Sequence, residues 1–117
     1  MSYVQGFVVP VPKENKEAYR KLAVASAPIF QEYGATRIVE NWSENTPDGK
    51  VTDFKMAVKA EANEAVVFSW IEWPDKATCD AAAKKMQNDP RWEAMGEMPF
   101  DGKRIIYAGF DPIFETS

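Results

Sequence analysis

The sequence predicts an α+β sandwich of βαββαβ order, with one sheet lying under a single layer of helices. Three observations carry that expectation. Four strand-like segments alternate with two amphipathic helical segments in an order that closes most economically as a four-stranded sheet with two crossovers. The 117 residues are the ordinary length of one domain, so residues 1–117 read as a single unit. Hydrophobic residues make up 45% of the chain and aromatic residues 13%, which is ample for a packed core.

Residues 3–11 are dense in Val, lack clean alternation and read as a strand apolar on both faces. From Lys13 onward Ala18, Leu22, Ala25, Ile29 and Tyr33 recur at steps of three and four, with Tyr19, Ser26 and Phe30 flanking them and Gly34 as terminator. This is a long amphipathic helix in which Pro28, lacking an N–H, leaves the Val24 carbonyl unpaired. Residues 35–43 form a second strand, followed by the turn residues Pro47, Asp48 and Gly49. Residues 51–59 fit a helical turn and a strand equally well and are expected only to connect.

A third strand covers residues 65–73, rich in Val and aromatic residues. Pro74-Asp75 stops it and caps a helix over residues 76–88, with Cys79, Ala82, Ala83 and Met86 along one face. Asp89-Pro90 repeats the cap-and-proline start for a short helix ending at Gly96. A turn at Pro99 and Asp101-Gly102 then opens a fourth strand over residues 103–110.

This order is that of a ferredoxin-like βαββαβ sandwich. Two helices cover one face of a sheet, yet the strands are bulky and apolar on both faces, so the uncovered face calls for a partner. Period-two alternation suggests that Val4, Gly6 and Val8 with Val67, Ser69, Ile71, Ile106 and Ala108 face the helices. The opposite set, Tyr3, Gln5 and Phe7 with Phe68, Trp70, Glu72 and Tyr107, is expected on the bare side. A second copy is the simplest cover, which makes the chain a homodimer of the dimeric α+β barrel kind.

Four strings carry a resemblance: Val4-Gln5-Gly6-Phe7-Val8-Val9-Pro10-Val11-Pro12, Gly34-Ala35-Thr36-Arg37-Ile38-Val39-Glu40-Asn41-Trp42, Val67-Phe68-Ser69-Trp70-Ile71-Glu72-Trp73-Pro74, and Met98-Pro99-Phe100-Asp101-Gly102-Lys103-Arg104 running on to Phe110. Together, from Tyr3 to about Ile113, they resemble the YbaA-like family of small bacterial proteins of unknown function. The Met-Pro-Phe-Asp-Gly-Lys-Arg run is the most specific part. The resemblance implies a dimeric α+β barrel. It does not choose among the cofactor-free oxygenases, lactone isomerases, haem enzymes and binding domains of the wider superfamily.

The chain has no His, so no His-based nucleophilic centre, His-held metal or His-ligated haem can be built within it. Neither metal nor cofactor is expected. One Cys excludes an internal disulfide, and Cys79 among alanines reads as packing. A formal charge of −4 argues against a nucleic-acid partner. Lys13, Lys16, Arg20 and Lys21 alternate with Glu14 and Glu17 as a solvated helix face. No apolar run approaches the roughly 20 residues of a membrane span, and a cytoplasmic location is the expectation.

Candidate chemistry reduces to a few side chains. Glu40 and Glu72 lie on neighbouring strands, either as paired carboxylates with separated pKa values or as partners of Arg37, Lys55 or Arg104. Gln5, Phe7, Trp70 and Tyr107 either line a ligand pocket or interlock at an interface. Arg104 either clamps an anion or belongs to the turn at Asp101-Gly102. The leading reading is a soluble homodimer binding a small aromatic or carbonyl-bearing molecule between sheet and helices, with cofactor-free oxygenase or isomerase chemistry as its enzymatic form. That form uses Glu40 or Glu72 as base, Tyr107 to orient substrate and Arg104 to stabilise an oxyanion. The alternative class is a non-enzymatic interaction or regulatory module.

Overall fold

The computed structural model describes residues 2–116. Strands β1 (Tyr3–Pro12), β2 (Arg37–Trp42), β3 (Glu64–Trp73) and β4 (Ile106–Phe110) form one antiparallel sheet of order β2-β3-β1-β4. This is the ferredoxin-like α+β arrangement expected from the element order.

A 3-10 turn at Lys13–Asn15 leads into helix α1, Lys16–Glu32, with Pro28 on its exposed side. The ambiguous segment after β2 resolves as a single helical turn, α2, Phe54–Ala57, because the Asp53 side chain accepts from the Met56 N–H at 2.7 Å and caps it. Helix α3, Lys76–Met86, starts the same way, with Asp75 accepting from the Thr78 N–H at 2.7 Å. A short α4, Arg91–Ala94, and a 3-10 turn at Gly102–Arg104 precede β4. The fourth strand is therefore shorter than the sequence suggests, since Asp101 caps a turn through its hold on the Lys103 N–H.

The pairing register corrects the assignment of faces. Tyr3 pairs with Trp73, Gln5 with Ile71, Phe7 with Ser69 and Val9 with Val67, while Tyr107 pairs with Phe7. Directly paired residues share a face, so Gln5, Phe7 and Tyr107 lie on the side of Val67, Ser69 and Ile71, which is the helix side. The other face carries Val4, Gly6 and Val8 with Phe68, Trp70 and Glu72, together with Ile106, Ala108 and Phe110. Each strand's own alternation is as expected, but matching β1 to β3 one residue out of step exchanged their faces.

The helix side holds the core. Ala35, Ile71 and Trp73 pack with Cys79 and Ala82 of α3, and Tyr3, Phe7, Phe30, Tyr33 and Ile38 close around them. Val9, Val11 and Val67 form a second cluster under Tyr19, Trp42, Phe100 and Ile105. Trp73, fully buried, donates its indole N–H to the Gln5 side-chain oxygen at 2.9 Å. Burial pushes the Cys79 thiol pKa upward, which suits a packing role. On the opposite face α2 covers one end, with Phe54 against Phe68 and Phe68 against Trp70, while among the described residues the buried clusters beneath α1 and α3 belong to the helix side.

Candidate functional site

The helix-side face leaves one place where polar chemistry meets empty space. Glu40 on β2 pairs with Ser69 on β3, which sets both side chains toward α1. Tyr19, on the first turns of α1, reaches down and donates its hydroxyl to Glu40 Oε1 at 2.7 Å. These three polar groups are surrounded by apolar walls. Phe30 and Trp92 stand 5.4 Å apart by ring centroid, and Tyr19 meets Phe100 edge-on at 5.9 Å.

Two open recesses adjoin the pair and share Tyr19, Ala23 and Glu40. The inner one, about 180 Å³, runs over the sheet between Phe7, Ser69, Phe30, Trp92 and Phe100. The outer one, about 420 Å³, opens between α1 and β2 toward Lys16, Arg20 and Trp42. Glu40 keeps solvent access through these openings, yet the protein around it disfavours its charge.

Desolvation accordingly raises the Glu40 pKa, opposed by the Tyr19 and Ser69 hydroxyls, which favour the charged form. Tyr19 is driven the same way, first by desolvation and then by the neighbouring carboxylate, to far above the usual phenol range. The phenol therefore stays a donor, while the carboxyl is a stronger proton acceptor than an ordinary glutamate's. With Tyr19 on one oxygen, a carboxylate still has capacity for further hydrogen bonds.

The structure separates the other residues that the sequence singled out. Glu72 is on the opposite face from Glu40, where it accepts from the Trp70 indole N–H at 2.9 Å and pairs with Arg37 at 3.4 Å. The two carboxylates do not form a pair. Trp70 is likewise across the sheet from Gln5, Phe7 and Tyr107, so those four do not meet around one ligand. Phe7 lines the inner recess. Gln5 is engaged by Trp73, and Tyr107 lies exposed on the edge strand, stacked against Phe7 at 6.2 Å. Arg104 grips both carboxylate oxygens of Glu64 at 2.7 and 2.8 Å and also bonds Asp101, which places it in the turn. Its guanidinium is thereby held further above its usual range, first by Glu64 and then by Asp101.

Tyr19 and Ser69 were not singled out by sequence. Tyr19 showed as a flank of the α1 stripe, but only the packing of α1 across β2 brings it to Glu40. The Met-Pro-Phe run contributes unexpectedly, since Met98 and Phe100 wall the inner recess. Asn15 fixes that run by donating to the Pro99 carbonyl at 3.0 Å.

A larger groove of about 930 Å³ lies under residues 43–53. Several of its charged groups are taken up structurally, Lys55 by Asp48, Glu64 by Arg104, and Asp53 by the α2 cap. Among the described residues there is no His, Cys, Asp and Glu grouping fit to hold a metal, and no helix is long and apolar enough to cross a membrane.

Comparison with known proteins places this arrangement. The family model described as "Protein of unknown function (DUF1428)" matches residues 2–102. The uncharacterized protein YbaA of Escherichia coli K12 is 62% identical over 116 residues, covering 98% of this chain and 99% of its own. Among solved structures, a Bacillus cereus protein described as a candidate antibiotic-biosynthesis monooxygenase superposes with a TM-score of 0.59 at 9% identity, covering 99% of this chain and 97% of the other. A dimeric ferredoxin-like protein from an uncultured marine organism gives 0.58 at 11% identity, over 99% of this chain and all of the other (100%). At such identities the likeness is one of fold.

Proposed function

The chain belongs to the DUF1428 family, and on that footing we propose that it is a homodimeric small-molecule-binding protein whose ligand sits against Glu40 between the sheet and α1. The single observation carrying this reading is Glu40 itself. A carboxyl with a raised pKa, held by a phenol at 2.7 Å and walled by aromatic rings beside open space, is what a binding or proton-transfer site requires. A structural ion pair would explain a perturbed carboxyl without a ligand. Glu64 and Asp89 each meet an arginine in that way, whereas Glu40 meets a tyrosine.

In an enzymatic form Glu40 accepts a proton from the bound molecule and Tyr19 keeps the carboxyl in place. In an isomerisation the same proton returns to a second atom of the substrate, so no cofactor is needed. The Bacillus cereus protein that shares this fold is itself described as a candidate monooxygenase. Oxygenation here would require dioxygen as co-substrate. Arg104, Tyr107 and Glu72 have no part in this reading, because their positions keep them from Glu40.

Thermal-shift screening of a small-molecule library tests the proposal. A ligand at 100 times its Kd adds about 2.7 kcal/mol to stability. True ligands are expected to lose their shift in Glu40→Gln, which removes the acid, and in Ala23→Phe, which fills space shared by both recesses. Stabilising compounds indifferent to both substitutions would place binding elsewhere. A complete absence of stabilising compounds would favour a non-enzymatic interaction module.

A further inference from the structure

Resting on that reading of the recess, we propose that its ligand class is a compact organic cation, an ammonium group carried on a small apolar or ring-shaped body. The inference starts from charge. The inner recess is lined by one carboxyl group, that of Glu40, and no Lys or Arg belongs to its wall among the described residues. The two cations that line the outer recess have other contacts. Lys16 sits over the Trp42 ring, 5.7 Å from its centroid, and Arg20 is held by Glu17 at 2.6 Å. Neither is among the influences on the Glu40 carboxyl, which are desolvation and the hydroxyls of Tyr19 and Ser69.

Glu40 is exposed to the recess mouth and has no cation paired with it, so a positive ligand meets an unneutralised carboxylate there while an anionic one is repelled. The walls agree with the charge. Phe7, Tyr19, Phe30, Trp92 and Phe100 present aromatic rings to the same space, and ring faces attract a cation through their quadrupole while shielding it from water. One carboxylate among five rings is a recognition set for an ammonium head. Size sets the body: a cavity of roughly 150 Å³ holds benzene, so the 180 Å³ inner recess takes a single ring or a short alkyl group.

The probes are three isosteres, benzylamine, benzyl alcohol and benzoate, titrated into the full-length protein at pH 7 with binding read by calorimetry or ligand-observed NMR. Benzylammonium is expected to bind about tenfold or more tightly than benzyl alcohol, with benzoate weakest, the charge-assisted and cation–π contacts both favouring the amine. In Glu40→Gln that preference should collapse toward unity. Equal or tighter binding of the alcohol or benzoate overturns the proposal, as does an amine preference that survives Glu40→Gln. The Ala23→Phe variant separates the two levels. Alcohol or benzoate binding that Ala23→Phe blocks refutes the cation while keeping the recess as the site. Absence of any binding sensitive to Ala23→Phe counts against the cation and the recess together.

Discussion

At the scale of single residues, Gly34 shows how a terminator read from sequence becomes a packing requirement. Its φ of +114° lies in a region that L side chains rarely adopt, and a Cβ added there would come within 2.6 Å of Thr78 Cγ2 on α3. The turn it makes lets the Ala35 N–H return to the Phe30 carbonyl at 3.0 Å and aims the chain into β2, which carries Glu40. Gly34→Ala is therefore expected to cost about 1–3 kcal/mol, from backbone strain plus the methyl contact. Urea unfolding measures it, and a loss under about 0.5 kcal/mol would show the turn to be far more yielding than argued. Lys59, with a φ of 51°, ends α2 by the same geometry, yet nothing about a lysine announces it. Glu40 was legible in the same limited sense: an acid in an apolar strand stands out, whereas its tyrosine partner depends on how α1 crosses the sheet.

At the scale of elements, the Asp75 cap and the order of strands and helices along the chain were readable because each rests on neighbours in sequence, whereas the Asp53 cap lay inside a segment that fitted helix and strand equally well. Which residue of β1 faces which of β3 depends instead on loops and on competing ways to bury Val9, Val67 and Trp73, and a slip of one exchanges the faces. That slip is why Gln5, Phe7 and Tyr107 were grouped with Trp70. The approach to β4 illustrates a device that sequence left ambiguous. Arg104 joins the turn at Gly102–Arg104 to the start of β3, donating to the Glu64 carboxylate and to the Lys59 carbonyl at 3.0 Å. The Arg104 hydrogen bond, foremost, lowers the Glu64 pKa. A carboxylate lowered in the folded state contributes stability that is present above its unfolded pKa, about 4.3, and lost as pH falls through the lower folded value. Arg104→Met should therefore destabilise the protein at pH 7 and do so less at pH 3, below the unfolded carboxyl pKa, where part of that contribution is already lost. Urea midpoints for the two proteins at the two pH values decide it, and an equal gap at both would assign Arg104 a packing role alone.

At the scale of the whole molecule, the dominant fact is a sheet dressed on one side. Both buried clusters belong to the helix face, while Phe68, Ile106 and Phe110 on the other are each more than two-fifths exposed (44%, 46% and 55%). Every residue of β4 is exposed, and beyond it Ile113 and Phe114 are 99% and 80% exposed. A free monomer would present Phe68, Ile106 and Phe110 to water on one face, the situation that association relieves. A two-fold axis through the bare face would set like against like, so one substitution acts twice at such an interface. Phe110→Asp puts a carboxylate on each side of it while altering a side chain already half in solvent, so the fold should survive. Light scattering coupled to size exclusion is expected to give two-chain mass for the unaltered protein at micromolar concentration and single-chain mass for Phe110→Asp. Val24→Asp, at a position 61% exposed on α1 across the sheet from that face, should leave the mass at two chains. An unaltered protein of one-chain mass, or a Phe110→Asp variant that stays paired, would mean that the bare face meets something other than its own copy.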